Sequence, residues 1–116
     1  MDKRLSSILS LCMKAGMLKT GDFASESVLR SGVAKLIVLA ENASGNTKKK
    51  FINKAFYYKI PVYIYGCIDD LSHSTGVVNR AVFAVTDSGF AANIVKQLRD
   101  ANITEAGEWR KCECMK

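Results

Sequence analysis

The chain has 116 residues, 48% of them hydrophobic, with 17 lysines and arginines against 11 aspartates and glutamates, for a formal charge of +6. That length suits one domain burying roughly two thirds of its unfolded surface, and a pI near 9.3 favours a polyanionic partner such as nucleic acid or an acidic surface. No apolar run approaches the roughly 18 residues of a membrane span. The N-terminus MDKRLSSILSLCMKAG lacks a long apolar core and a cleavage site, and Cys12, Cys67, Cys112 and Cys114 follow no disulfide-scaffold spacing, so a reduced, cytoplasmic protein is expected.

Along the chain, helical and extended patterns alternate. Leu5, Ile8, Leu9, Cys12 and Met13 recur at three- and four-residue steps, which predicts an amphipathic helix over 3–15 closed by Gly16. A short extended piece follows at 17–19. Thr20-Gly21-Asp22 then offers a helix start whose acid suits the positive N-terminal end. The second helix, 23–31, is expected to turn Phe23, Val28 and Leu29 inward and to stop at Gly32.

Residues 35–40, KLIVLA, carry no polar alternation, the mark of a strand covered on both faces. A third helix starting at Asn46 or Thr47 carries Phe51, Ile52, Ala55 and Phe56. IPVYIY at 60–65 is the next strand, with Pro61 confined to its first positions by its missing N–H. A short helix or turn at 69–74, a buried strand at 81–85 and a last helix at 88–101 complete the domain. The fold class is therefore α/β: a three-layer αβα sandwich around a mixed, largely buried four-stranded sheet, spanning 1–101. Residues 102–116 lack a sustained apolar period and read as an appendage.

Chemistry concentrates in KLIVLAENASGNTKKKF, residues 35–51, where a buried strand ends at Glu41 and Asn42, passes a Gly/Asn turn and meets Lys48, Lys49 and Lys50. In α/β proteins ligands sit outside the carboxyl ends of strands, and an RNA backbone is the ligand these residue types suit. The same lysines also fit a plainly solvated helix face. Tyr57, Tyr58, Tyr63 and Tyr65 read as packing residues with wet hydroxyls, and His73 as an exposed loop histidine. No G-x-G-x-x-G or G-x-x-x-x-G-K-[ST] is present. The lone histidine lacks a nucleophile partner, and C-x-C at Cys112 and Cys114 without a second pair is no zinc pattern. No catalysis, cofactor or metal is expected.

Six ordered stretches, LSLCMKAGMLKTGDF, GVAKLIVLAENASGNTKKKF, YYKIPVY, LSHSTG, RAVFAV and TDSGFA, resemble the bacterial YlxQ branch of the kink-turn-binding ribosomal protein family across roughly residues 1–100. The resemblance implies a non-catalytic, monomeric protein that recognises structured RNA with a sharp backbone kink, associated with the ribosome or translation. Carried over position by position, it implies contacts from Thr20, Gly21, Asp22 and Phe23 to the kinked backbone and its sheared G·A pairs. Glu41 and Asn42 would bond nucleotide edges, and the loop Val77, Val78, Asn79 and Arg80 would pack on splayed-out bases. Lys19, Lys48, Lys49 and Arg80 would neutralise phosphates. Gly21 makes physical sense there, since a missing Cβ lets a phosphate approach the helix N-terminus. Ribosomal relatives carry Asn-Glu where this chain has Phe23 and Ala24, and most members carry a lysine at Ser27; Lys48–Lys50 would then supply charge that the second helix lacks. Two other readings stay open at this point: a protein-interaction module of the translation machinery, and a small nucleotide-handling α/β enzyme, which would need a deep pocket of convergent titratable groups.

Overall fold

A computed structural model describes residues 3–77 and 80–100. Val78, Asn79 and the 102–116 appendage with Cys112 and Cys114 lie outside the described residues.

The elements run α1 (Lys3–Lys14), β1 (Leu18–Thr20), α2 (Asp22–Ser31), β2 (Leu36–Leu39), α3 (Gly45–Tyr58), β3 (Val62–Ile64), α4 (Ile68–Thr75), β4 (Val82–Val85) and α5 (Ser88–Asp100). The sheet order is β1-β4-β2-β3. Only β2 and β3 are parallel; β4 runs antiparallel to both β1 and β2. The expected mixed sheet is therefore present, with β-helix-β crossovers through α2, which carries the chain past β4, and through α3.

Alternation along the strands sorts the core into two layers. Leu36, Val38, Tyr63, Phe83 and Val85 face α1, α4 and α5, where they meet Leu5, Leu9, Cys12, Leu71, Ile94 and Leu98. Ile37, Leu39, Val62, Val82 and Ala84 face α2 and α3, against Leu29, Phe51, Ile52 and Ala55. Every residue of β2 and β4 is buried, as a sheet covered on both sides requires.

Several boundaries move for physical reasons. Helix α3 begins at Gly45 because Ser44, in extended conformation, accepts the Thr47 N–H with its hydroxyl, ahead of the Asn46 or Thr47 start read from sequence. Helix α4 begins at Ile68, one residue before the expected Asp69, because Cys67 Sγ takes the Asp70 N–H and Asn42 Oδ1 takes that of Ile68 itself. Phe23 is not an inward residue: it is 88% exposed. The buried positions of α2 are Ser25 and Leu29, and a residue two places before Ser25 sits about 200° away around the helix. Phe56, Tyr57 and Tyr58 are likewise exposed, so of the four tyrosines only Tyr63 and the half-buried Tyr65 pack as expected.

Candidate nucleic-acid interface

Strand directions bring the separated site residues to one end of the sheet. The carboxyl ends of β1, β2 and β3 and the start of antiparallel β4 all lie there, stitched by backbone bonds. Gly21 N–H donates to Val82 O at 2.8 Å, Ala40 N–H to Ala81 O at 2.9 Å, and Glu41 N–H to Gly66 O at 2.6 Å. Thr20–Phe23, Glu41–Asn42 and Arg80 are thus adjacent strand tips, although they lie as much as sixty positions apart in sequence.

Gly21 is buried and adopts φ 90°, ψ 166°, a region open essentially to glycine alone. It also lies under Arg80. A Cβ built on Gly21 would sit 3.2 Å from Arg80 Nη1 and 3.6 Å from its Cδ. The Arg80 backbone is fixed in turn by Ser72, whose hydroxyl accepts the Arg80 N–H at 3.0 Å and donates to its carbonyl at 3.2 Å. Gly21 therefore accommodates an arginine fork across the start of α2.

That helix start has no side-chain cap, so its first-turn amides and the positive end of the helix dipole face outward beside the guanidinium. The Gly21 amide is itself committed to Val82, which leaves the donor role to the residues after it. Asp22 and Phe23 are exposed at this rim, Thr20 is half-buried, and Lys19 is exposed on edge strand β1. Within the second helix Ser25 is fully buried and its Oγ has no partner among the described residues. Ser27 is exposed.

The Glu41–Asn42 tip has a structural duty as well as an exposed edge. Asn42 Oδ1 is held by the Ile68 N–H at 2.8 Å, and the Glu41 carbonyl accepts Lys48 Nζ. The three lysines divide their tasks. Lys48 closes the loop and is half-buried; Lys50 Nζ pairs with Glu26 on α2 at 3.0 Å; Lys49 is exposed and makes no ion pair among the described residues. Glu26 also takes Arg30 at 2.7 Å and Lys54 at 3.3 Å. Hydrogen bonds from Lys50, Lys54 and Arg30 pull its carboxyl down to about 2. Val77 is half-buried, packing against the α1, α4 and α5 side of the core.

Sequence reasoning missed Ser72, Glu26 and the bracing role of Asn42. A Ser44-x-x-Thr47 pair was a readable capping signal for α3; nothing local marks Ser72 as the partner of Arg80, because the contact is tertiary.

Elsewhere an open cleft of 380 Å³ lies between α1 and α4, lined by Lys3, Ser6, Ser7, Asp70, His73 and Ser74. His73 is exposed, as expected, but sits in helix α4 rather than in a loop. Among the described residues no three His, Cys, Asp or Glu side chains gather to hold a metal, and no helix is long and apolar enough to cross a membrane.

Fold and site together define a small basic αβα sandwich whose candidate site is an open rim of helix amides and cations at one end of a mixed sheet. The chain is 37% identical over 91 residues to RNA-binding protein YlxQ of Bacillus subtilis, covering 78% of this chain and 91% of that protein. With RNA-binding protein YlxQ of Enterococcus faecium it shares 34% identity over 89 residues, 77% of this chain and 85% of that one. It belongs to the YlxQ family. Among solved structures it resembles a protein of unknown function from Bacillus halodurans, with TM-score 0.79 and 30% identity over 82% of this chain and 96% of that one. The 15.5 kD RNA-binding protein of Giardia lamblia shares the fold, with TM-score 0.72 and 15% identity over 86% and 92% of the two chains. No protein-family model matches the sequence.

Proposed function

We propose that this protein is a non-catalytic RNA-binding protein that recognises kink-turn-like structured RNA as a cytoplasmic monomer associated with the ribosome or translation. The observation that carries the reading is the rim formed by the uncapped start of α2, the Cβ-less Gly21 and the Arg80 fork across it. Membership of a family whose relatives are named for RNA binding supports the substrate class. Backbone amides at a helix start favour a phosphate, a fork-shaped guanidinium grips phosphate or a base edge, and Phe23 offers an exposed aromatic face to an unstacked base. Lys19 and Lys49 add phosphate contacts; Glu41 accepts from nucleotide edges. Because Asn42 Oδ1 is taken by Ile68, Asn42 contributes through its amide N–H groups. Val77, with Val78 and Asn79, supplies the loop that packs on extruded bases.

The test is a calorimetric titration against a kink-turn RNA and a straight duplex of equal length, at two salt concentrations. Preference for the kinked RNA at both is expected. Equal binding to the two reduces the reading to electrostatics, and no binding at low salt refutes it.

A further inference from the structure

Helix α3 carries a second surface that shares only Lys49 with the rim. Between Glu41 and Asp69 the chain has five lysines and no acid. At about 100° per residue, Lys49, Lys50, Asn53, Lys54, Phe56 and Tyr57 fall on one outward arc of α3, opposite the buried Phe51, Ile52 and Ala55. Tyr57 is 78% exposed and Phe56 54%. The Tyr58 ring stands edge-on to Tyr57, centroids 4.9 Å apart at 88°, which steadies the exposed ring. The carboxylate paired with this face, Glu26, is shared among Lys50, Lys54 and Arg30, so the face keeps a surplus of positive charge.

We infer that the outward face of α3 is a second RNA-contact surface, taking single-stranded nucleotides whose bases stack on Tyr57 and Phe56 while Lys49 and Lys54 follow the phosphates. Lysines flanking exposed aromatic rings along one helix face are what a flexible polyanion with flat bases requires. A protein partner is disfavoured because interface cores are depleted in lysine. The face also continues from the rim: α3 starts four residues after Glu41, so single-stranded RNA leaving a kink bound there runs onto it. Apart from Lys49 the surface lies outside the kink-recognition rim, and its binding of single strands does not depend on kink recognition.

The probe is a fluorescently labelled single-stranded RNA of about ten nucleotides, within the range of known single-strand site sizes, read by anisotropy. The parent protein is expected to bind it, Tyr57→Ala to weaken binding about tenfold through lost stacking, and Tyr57→Phe to bind like the parent. Lys49→Ala combined with Lys54→Ala should flatten the salt dependence by about 1.4 log units per log unit, near 0.7 per lost single-strand phosphate contact. Tyr57→Ala should leave binding to a blunt kink-turn RNA unchanged, and melting by circular dichroism verifies that each variant is folded. No binding of the oligonucleotide by the parent overturns the proposal, as does unchanged affinity in Tyr57→Ala. Equal displacement by a polyglutamate of matching charge assigns the face to an acidic protein and also overturns it. If the oligonucleotide behaves as expected while kinked RNA is not preferred over duplex, the kink reading fails and this one stands.

Discussion

At the scale of single residues, the proposed reading ties RNA binding to backbone strain through the Gly21 and Arg80 pair. Gly21→Ala places a methyl against Arg80 Nη1 at a φ of 90°, which costs about 1–3 kcal/mol and displaces the guanidinium. Urea unfolding should register the loss, and titration with kinked RNA should register weaker binding than the parent even at temperatures where the variant is fully folded. Glu26 makes an opposite kind of prediction. Its carboxyl is held at about 2 by its three cations, so it binds protons less readily folded than unfolded. The stability it contributes is complete above the unfolded carboxyl range and fades as pH falls from about 4.5 toward 2. Melting temperatures of the parent and Glu26→Gln should therefore differ at pH 6 and converge near pH 2; a gap that persists in acid would mean the cluster's electrostatics contribute nothing. Cys12 carries no such switch, since burial and then Asp87 push its thiol up to about 11, where it stays protonated. Of the candidate site residues, those beside punctuation were the ones sequence could place at the rim: Gly21 before a helix, Glu41 and Asn42 after an apolar run. Phe23 was read for packing by its hydrophobicity, although its phase relative to Ser25 and Leu29 already pointed outward.

At the scale of elements, three strands were readable from the apolar runs at 35–40, 60–65 and 81–85, which lack helical period, while β1, with Lys19 exposed, showed only as a short extended piece; the helices were readable because α1 and α5 keep clean stripes. Their ends were less so. Ser44 and Asn42 set the starts of α3 and α4 through side-chain bonds, one local and one reaching across 26 positions, and only the first leaves a trace in spacing. At its other end α3 stops on Lys59 in the left-handed conformation, φ 61°, a geometry that suits glycine better. Lys59→Gly should stabilise the protein by about 0.5–1 kcal/mol, seen as a higher urea midpoint with an unchanged slope. A lower midpoint would mean that the lysine side chain, rather than the cap geometry, fixes the end of α3.

At the scale of the whole molecule, sequence pattern could announce four strands but not that the last one lies between the first and second in space. The order β1-β4-β2-β3 depends on long-range pairing, which no local signal encodes. On the proposed reading it also sets when the protein can bind RNA. As the chain is synthesised from its N-terminus, β1 has no sheet partner until β4 arrives, since β4 is its neighbour; the Gly21 amide waits for Val82, and Arg80 itself is late. A fragment ending at residue 79 should accordingly show no cooperative melt and no preference for kinked RNA, whereas the chain through residue 100 should show both. If the proposed rim is the binding site, insertion of β4 acts as a checkpoint: a nascent chain does not engage its ligand piecemeal, and completion of the sheet and the onset of binding coincide.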